Sequence, residues 1–268
     1  MYAPFIIATN GQLQSGYQDG WTRHLFTHGL GITLPGLEQV ATPLFRAQTR
    51  VAEVAAKKRT DTDTTVPTVW KYPQDVYPVA INWSGRYPSG ATSLGVVLVT
   101  VTDALEADVT STRLLKSQVD GDRSVAYIQG GAAGDRYTVS VAQTFNTGAV
   151  LYEYVEVEVR NPTTQTLEGF FKYPLDIFPL TLDWLGRQPQ LNQQPVTLGT
   201  LGVTVVDSGE ADVTSQFLLT TQVLETINVA HVYGGTAGQT YRTALAQTFT
   251  DGSIYHDYKT MTVRAPAA

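Results

Sequence analysis

The chain has 268 residues, a formal net charge of −6, 43% hydrophobic and 16% charged residues, and no cysteine. This length allows one to three domains, and the apolar, charge-poor composition predicts a globular, β-rich protein. The missing cysteine excludes a disulfide framework, a thiol nucleophile and a cysteine-based zinc site. The acidic balance, with no basic run longer than residues 57–59, disfavours nucleic acid as the partner.

The first 65 residues differ from the rest of the chain. Glycines interrupt the apolar residues of positions 1–36, which carry neither a basic leader nor the long apolar core of a signal peptide. Residues 44–59 contain apolar side chains at helical spacing, which predicts a short helix. We interpret residues 1–65 as an anchoring arm that orders on a partner, with a small additional domain as the alternative. No stretch approaches the roughly 20 apolar residues of a membrane span.

Two histidines in this arm have the spacing of a zinc pair. On a helix, His24 and His28 would place both imidazoles on one face. However, no glutamate lies between them, and Gly29 and Gly31 disfavour a helix there. We therefore predict no metal site at these histidines.

An internal repeat organises the remaining residues. Residues 70–83 return as residues 171–184 at an offset of 101, and the motifs that follow repeat at an offset of 104. The three extra residues fall in a polar loop, where insertions are tolerated. The sequence therefore predicts two domains, at residues 66–161 and 162–268.

Each repeat contains a series of about seven short strands. Residues 137–144 and 152–160 alternate between apolar and polar side chains, as strands with one buried face do. Asn-Thr-Gly at 146–148 and Thr-Asp-Gly at 250–252 are typical of hairpin turns. We expect an all-β fold of two tandem immunoglobulin-like β-sandwich domains, preceded by the irregular N-terminal arm.

Aromatic residues recur at equivalent positions of the two repeats. Trp83 and Trp184 are expected to lie buried across the sandwich cores, and stacking on carbohydrate is the alternative use. His231 and His256 stand where the first repeat has tyrosine. Such an exchange within one chain indicates packing rather than catalysis.

Acidic residues recur with the spacing Asp-x-x-Glu-x-Asp, and their oxygens could bind calcium on a loop. The residues are Asp103, Glu106, Asp108, Asp207, Glu210 and Asp212. Because neither segment has the glycine and oxygen density of a dedicated calcium loop, we expect these carboxylates to hydrogen-bond the backbone of a turn.

Other candidate sites also favour structural roles. The Gly-Gly-x-Ala-Gly motifs at 130–134 and 234–238 precede strands rather than helices, so they predict tight turns with positive φ instead of phosphate cradles. Asp75 and Asp176 could form a glycosidase pair, but they occupy equivalent places in separate repeats. There is no nucleophile motif and no triad-like grouping. We predict no catalytic, cofactor-binding or metal-binding residue.

The ordered motifs of both repeats carry a resemblance. Asn82-Trp83 and Asp183-Trp184, followed by the Gly-Gly-x-Ala-Gly-x-x-Tyr loop and a Gly-containing hairpin turn, resemble small Ig-like domains of tailed-bacteriophage virion proteins. Those proteins are of the fibre-to-tail adaptor and head-decoration types. The resemblance covers both repeats but not the arm, and it implies no catalytic residues.

The resemblance and the composition lead to one main functional hypothesis. We expect a non-enzymatic virion protein, made in the host cytoplasm and present in several copies, that joins tail fibres or neighbouring subunits to the tail. Its partners would be other virion proteins, without nucleic acid, membrane or cofactor. The alternatives are a capsid decoration protein and a host-surface glycan-binding module that uses exposed aromatics such as Tyr87 or Tyr233.

Overall fold

The computed structural model describes residues 17–18, 21–22, 44–46, 53–56, 66–164, 167–191 and 194–265. The first half of this structure contains the following elements: β1 (Tyr17–Gln18), β2 (Trp21–Thr22), β3 (Leu44–Arg46), β4 (Glu53–Ala55), β5 (Thr68–Lys71), β6 (Tyr77–Asn82), β7 (Leu94–Asp103), α1 (Thr110–Arg113), β8 (Leu114–Asp120), β9 (Arg123–Ile128), β10 (Arg136–Phe145) and β11 (Val150–Val159). After a 3₁₀ turn at Pro162–Thr164 come β12 (Gly169–Lys172), β13 (Phe178–Asp183), β14 (Gln190–Leu191), β15 (Gln194–Pro195), β16 (Leu198–Val206), α2 (Thr214–Phe217), β17 (Leu218–Leu224), β18 (Ile227–Val232), β19 (Thr240–Phe249) and β20 (Ile254–Val263).

Apart from the two-stranded sheets β1-β2 and β14-β15, these strands form two β-sandwiches of the same topology. Sandwich 1, built on β5–β11, pairs a sheet of order β5-β11-β10-β7 with a sheet of order β4-β6-β9-β8. Sandwich 2, built on β12–β20, pairs β12-β20-β19-β16 with β17-β18-β13-β3. In each, one sheet has the C, F and G strands and the other the B, E and D strands of an immunoglobulin-like fold. The predicted all-β fold with two tandem Ig-like sandwiches is confirmed.

Two strands from the arm complete these sheets. β3 pairs in parallel with β13 of sandwich 2, and β4 pairs in parallel with β6 of sandwich 1. Phe45 and Val54 are buried in the cores. The short helix predicted over residues 44–59 is therefore wrong for these strands, because an open sheet edge satisfies the backbone more favourably than an isolated helical turn does. Apart from residues 17–18, 21–22, 44–46 and 53–56, residues 1–65 lie outside the described residues, as do His24 and His28, and the anchoring role stays a prediction.

The two tryptophans lie at the centres of the sandwiches. Trp83 and Trp184 are buried, and each contacts a phenylalanine of the opposite sheet edge-on, Phe145 at 6.0 Å and Phe249 at 5.4 Å between ring centroids. The Trp83 indole N–H donates to Ser124 Oγ at 2.8 Å. The predicted core position of both residues is confirmed, and their burial leaves neither ring available for stacking on a sugar.

A buried lysine links the two most distinctive motifs of each repeat. Lys71 Nζ donates to the carbonyl oxygens of Tyr72 and Gly130, both at 2.7 Å. Lys172 Nζ donates in the same way to Tyr173 and Gly234, both at 2.7 Å. Burial lowers the pKa of Lys172 below its ordinary value. The Lys-Tyr-Pro motif, at residues 71–73 and 172–174, and the Gly-Gly-x-Ala-Gly motif therefore recur together because one supplies the cation and the other a carbonyl acceptor.

The glycine loops are turns that need glycine for two separate reasons. Gly235 has φ of 95°, and a Cβ placed on it would lie 2.7 Å from Val263 Cγ2 and 2.8 Å from Phe217 Cε1. Gly238 has φ of 85°, but no atom would lie within 4 Å of its Cβ. The predicted positive φ is confirmed, and only the first of these glycines is also required by packing.

This difference predicts unequal costs for two alanine substitutions. Gly235→Ala and Gly238→Ala should each lower the free energy of unfolding by about 1–2 kcal/mol, because alanine disfavours positive φ. Gly235→Ala should lose about 1–3 kcal/mol more through overlap with Val263 and Phe217. Urea unfolding of both variants measures the difference, and equal losses would contradict the packing argument.

Candidate functional site

The two sandwiches meet where the turn between β5 and β6 lies on the first half of β20. Val76 N–H donates to Ile254 O at 3.0 Å, and Ile254 N–H donates to Val76 O at 2.9 Å. β12 pairs with β20 only at residues 260–263, so the preceding part of β20 offers its edge to sandwich 1. We call this the inter-sandwich contact.

Asp75 forms hydrogen bonds both within the turn of sandwich 1 and across the inter-sandwich contact. Its side chain is buried, and Oδ2 accepts a hydrogen bond from Tyr72 N–H at 2.7 Å. Oδ1 accepts from the backbone N–H of His256 at 2.8 Å and lies 3.0 Å from Nδ1 of the same residue. One carboxylate therefore closes the turn of sandwich 1 and holds a strand of sandwich 2.

Aromatic rings and apolar side chains fill the space around Asp75. Tyr72 packs edge-on against Tyr258, with ring centroids 4.9 Å apart, and Tyr77 stacks on Tyr255 at 5.4 Å. Ile254 packs on a small cluster on the outer face of β6 and β9, consisting of Val76, Ala80, Val125 and Tyr127. Both faces of these two strands are consequently buried, and the inter-sandwich contact is an apolar interface as well as a hydrogen-bonded one.

A polar group closes one side of the inter-sandwich contact. Lys116 Nζ lies 4.3 Å from the ring centroid of Tyr127 and donates to Asp251 O at 2.6 Å. Tyr127 Oη donates to Asp251 Oδ2 at 3.1 Å. Burial, together with the Asp251 carboxylate, raises the pKa of Tyr127 well above its ordinary value. These contacts place opposite charges across the two sandwiches.

Asp75 and Asp176, the two residues considered as a glycosidase pair, lie in separate turns of separate sandwiches. Asp176 Oδ2 accepts from Tyr173 N–H at 2.9 Å, as Asp75 does from Tyr72, but among the described residues Asp176 forms no hydrogen bond to the other sandwich. His256, which sequence comparison indicated as a packing residue, lies in the inter-sandwich contact. His256 stands at the position that Tyr152 occupies in the first repeat. This difference between the repeats is the sequence signal that could have located the contact.

The acidic motifs are turn caps. Asp103 Oδ1 accepts from Leu105 N–H at 2.9 Å and Ala107 N–H at 3.0 Å, and Asp207 repeats this pattern in sandwich 2. Hydrogen bonds from Thr110 lower the pKa of Asp108. The predicted turn hydrogen bonds are therefore confirmed. Across the described ranges, no three His, Cys, Asp or Glu side chains group together as a metal ion would require.

A polar cluster at one end of sandwich 1 was missed from sequence. Arg113 Nε donates to Tyr137 Oη at 2.9 Å, and Tyr137 Oη donates to Asp135 Oδ2 at 2.5 Å. The hydrogen bond from Tyr137 lowers the pKa of Asp135. At the equivalent place in sandwich 2, Phe217 packs on Tyr241 with ring centroids 4.5 Å apart. Because an apolar pair fills the same position, the cluster has a packing role.

The two aromatics suggested for glycan stacking do not come together in one site. Tyr87 Oη donates to Asp122 Oδ1 at 2.7 Å, and its ring packs edge-on against Phe145 at 5.3 Å. Partial burial and this hydrogen bond raise the pKa of Tyr87 to about 12. Tyr233 follows β18 in the other sandwich and is partly exposed. The ring of Tyr87 thus belongs to the edge of a core.

Comparison with known families gives one match within the chain. Residues 71–158 match the family described as podophage GP4 fiber-tail adaptor protein gp77. The matched segment is 88 of the 268 residues and contains most of sandwich 1, including the turn with Asp75. The resemblance to tailed-phage virion proteins with Ig-like domains is confirmed for this segment, and the match supports a structural adaptor role. No curated protein matches the chain.

Several solved structures are also similar to the chain. An I-band fragment of titin is 10% identical with a TM-score of 0.24, over 74% of this chain and 63% of that fragment, so the chain spans less than two thirds of its length. The N-terminal Ig1-2 module of the Drosophila receptor protein tyrosine phosphatase DLAR is 10% identical with a TM-score of 0.26, over 74% of this chain and 95% of that module. SporoSAG from Toxoplasma gondii is 8% identical with a TM-score of 0.22, over 81% of this chain and 99% of that one. The strand order, rather than these scores, assigns the fold.

None of the helices within the described residues has both the length and the apolar character that a transmembrane helix needs.

The repeat supplies a matched pair of substitutions for the inter-sandwich contact. Asp176→Ala removes a turn hydrogen bond and should cost about 0.5–1.5 kcal/mol of unfolding free energy. Asp75→Ala removes the equivalent bond and also takes the Asp75 acceptor from the partly buried amide and ring of His256, so it should cost about 1–3 kcal/mol more. Denaturant unfolding gives the two values. Small-angle X-ray scattering should show a broader distribution of distances for Asp75→Ala alone, and identical behaviour of the two variants would refute a linking role for Asp75.

The Tyr87 hydroxyl predicts a pH dependence of stability. Its folded pKa of about 12 lies above the ordinary value of 10.0, so its stabilising contribution is complete below pH 10 and is lost as the pH rises from 10 towards 12. Wild type should exceed Tyr87→Phe by about 0.5–1.5 kcal/mol at neutral pH, and the difference should shrink over that alkaline window. Unfolding of both proteins across this pH series tests the prediction, which a constant difference would contradict.

Proposed function

We propose that this protein is a non-enzymatic structural adaptor of a tailed-phage virion, which joins tail fibres or neighbouring subunits to the tail through its arm and its tandem sandwiches. The observation that carries the proposal is the match of residues 71–158 to the fiber-tail adaptor family. The partners would be other virion proteins, and the protein would be located in the virion.

The arrangement of the sandwiches supports a linking role. A connector between two virion parts needs two binding modules whose separation is defined, and the inter-sandwich contact supplies this through backbone hydrogen bonds, a buried carboxylate and stacked aromatic rings. Most of the buried apolar residues of both sandwiches belong to one continuous hydrophobic cluster. The two modules therefore behave as one body rather than as domains on a flexible linker.

The arm strands show how this chain makes contacts between modules. β3 adds to a sheet of sandwich 2 and β4 adds to a sheet of sandwich 1, each by parallel strand pairing. Strand addition to an exposed sheet edge is also a general mode of protein recognition. Residues 1–43 precede both pairings, and we propose that they bind the tail.

The contacts of the charged residues considered as candidate sites, and of the buried lysines, are consistent with a role without chemistry. Asp75, Asp103 and Asp207 hydrogen-bond backbone amides, and the buried lysines hydrogen-bond backbone carbonyls. Such groups are already engaged in holding turns, which is a structural use of charge.

Fractionation of phage particles tests the adaptor role. We expect mass spectrometry to find the protein with isolated tails, and particles made without it to keep their tails and lose their fibres. Particles complemented with a chain lacking residues 1–43 should lose both this protein and the fibres, while Leu105→Lys, a change at an exposed turn, should restore both. Recovery with isolated heads would indicate decoration instead, and fibres retained in its absence would reject the adaptor role.

A further inference from the structure

The internal repeat identifies a surface of sandwich 2 that matches the turn of sandwich 1 used in the inter-sandwich contact. Tyr173, Leu175 and Ile177 are the equivalents of Tyr72, Gln74 and Val76. Tyr72 and Val76 are buried, whereas Tyr173, Leu175 and Ile177 are 40%, 81% and 46% exposed. We call Tyr173, Leu175, Asp176 and Ile177 the turn face.

Sandwich 1 carries the surface that is equivalent to the strand side of the inter-sandwich contact. Val150, Tyr152 and Tyr154 are the equivalents of Ile254, His256 and Tyr258, which form the strand side of the inter-sandwich contact. Val150 and Tyr152 are 43% and 55% exposed. β5 pairs with β11 only at residues 156–159, so no described strand covers the β11 edge at Val150 and Tyr152. We call Val150, Tyr152 and Tyr154 the strand face.

The apolar surface of the strand face extends across its sheet. Ala142 is the partner of Tyr152 on one side and of Leu98 on the other, so these three side chains form one row on the outer face of sandwich 1. Leu98 is exposed, as is Val96 two residues before it on β7. A contiguous apolar patch of this kind marks an interaction surface more often than isolated exposed residues do.

We propose that copies of this chain associate head to tail, the turn face of one copy docking on the strand face of the next in the geometry of the inter-sandwich contact. Ile177 takes the place of Val76 and pairs with the backbone of Val150. Asp176, which already accepts from Tyr173 N–H, then accepts from the backbone N–H of Tyr152. The proposal stands whether or not the protein is an adaptor.

Where residues of the inter-sandwich contact differ from their equivalents in the other repeat, the residues on both sides of the contact change together. Where Gln74 contacts Tyr258 within the chain, Leu175 would face Tyr154 between copies, which pairs apolar with aromatic. Where Lys116 contacts Asp251, the equivalents Thr220 and Thr147 are both neutral. Neither replacement leaves a charge opposite an uncharged partner, and complementary faces are therefore preserved.

The proposed contact joins two different surfaces of the chain. Each copy would use the turn face towards one neighbour and the strand face towards the other, so every open assembly keeps one unused face at each end. Such a heterologous contact builds a ring when the rotation closes and an extended filament when it does not. Because the two faces differ, one variant can block the turn face and another the strand face. A mixture of these two variants then distinguishes the proposed contact from a contact between identical faces.

Complementary variants of the full-length protein test the proposal. Ile177→Lys should block only the turn face and Tyr152→Lys only the strand face, each weakening association by more than about 100-fold because an ammonium would be buried against apolar side chains. Sedimentation velocity and native mass spectrometry should show oligomers for wild type and for the control Leu105→Lys, and monomers for each blocked variant. An equimolar mixture of the two blocked variants should form a dimer containing one of each, and nothing larger.

Three results would overturn the proposal. These are a wild-type chain that stays monomeric up to about 1 mM, blocked variants that still self-associate, and a mixture that fails to form the mixed dimer. Circular dichroism confirms that each variant is folded. If Ile177→Lys unfolds, Leu175→Lys changes the more exposed residue of the same face and repeats the test. The particle fractionation above is independent, so failure of self-association leaves the adaptor role standing, and the reverse also holds.

Discussion

The carboxylate of Asp75 accepts hydrogen bonds from both sandwiches, and the relative position of the two modules depends on it. A buried carboxylate is stable only when its oxygens are satisfied, and here the amides of Tyr72 and His256 provide that satisfaction from two parts of the chain 184 residues apart. The hydrogen bonds between Val76 and Ile254 and the stacked tyrosines then align the strand with the turn.

The two repeats share a scaffold and differ at the surfaces that determine their contacts. In both, a buried lysine bonds the first glycine of the glycine loop, and a tryptophan packs on a phenylalanine across the core. The differences lie mainly at the inter-sandwich contact, where Tyr152 is exposed while His256 bonds Asp75. The same fold can therefore present a turn surface at one end of the chain and a strand surface at the other.

This division of roles is what a connecting protein requires. Cores built on an equivalent buried lysine, tryptophan and phenylalanine make each module stable without disulfide bonds, which a cysteine-free chain could not form. Different outer surfaces allow each module to meet a different neighbour. The arm reinforces the arrangement, because β3 and β4 attach the same segment to both sandwiches.

Much of the fold follows from local sequence patterns. The alternation of apolar residues predicts β10 and β11, because the period of two places one face of a strand in the core. The glycine turns and the buried Trp83 and Trp184 were predicted for the same reason, since turn chemistry and core packing act over short distances. The repeat also gave both sandwiches and, with the phage resemblance, the family that matches residues 71–158.

The local sequence patterns therefore specify the architecture of each module, whereas the way in which the modules and the arm are joined emerges only from tertiary packing. Residues 44–46 and 53–55 are strands rather than part of a helix, because their partners, β13 and β6, lie far along the chain and outweigh local spacing. Asp75 and Asp176 are indistinguishable in sequence, yet only Asp75 meets His256. Such pairings depend on which surfaces three-dimensional packing brings together, and no local pattern records that choice.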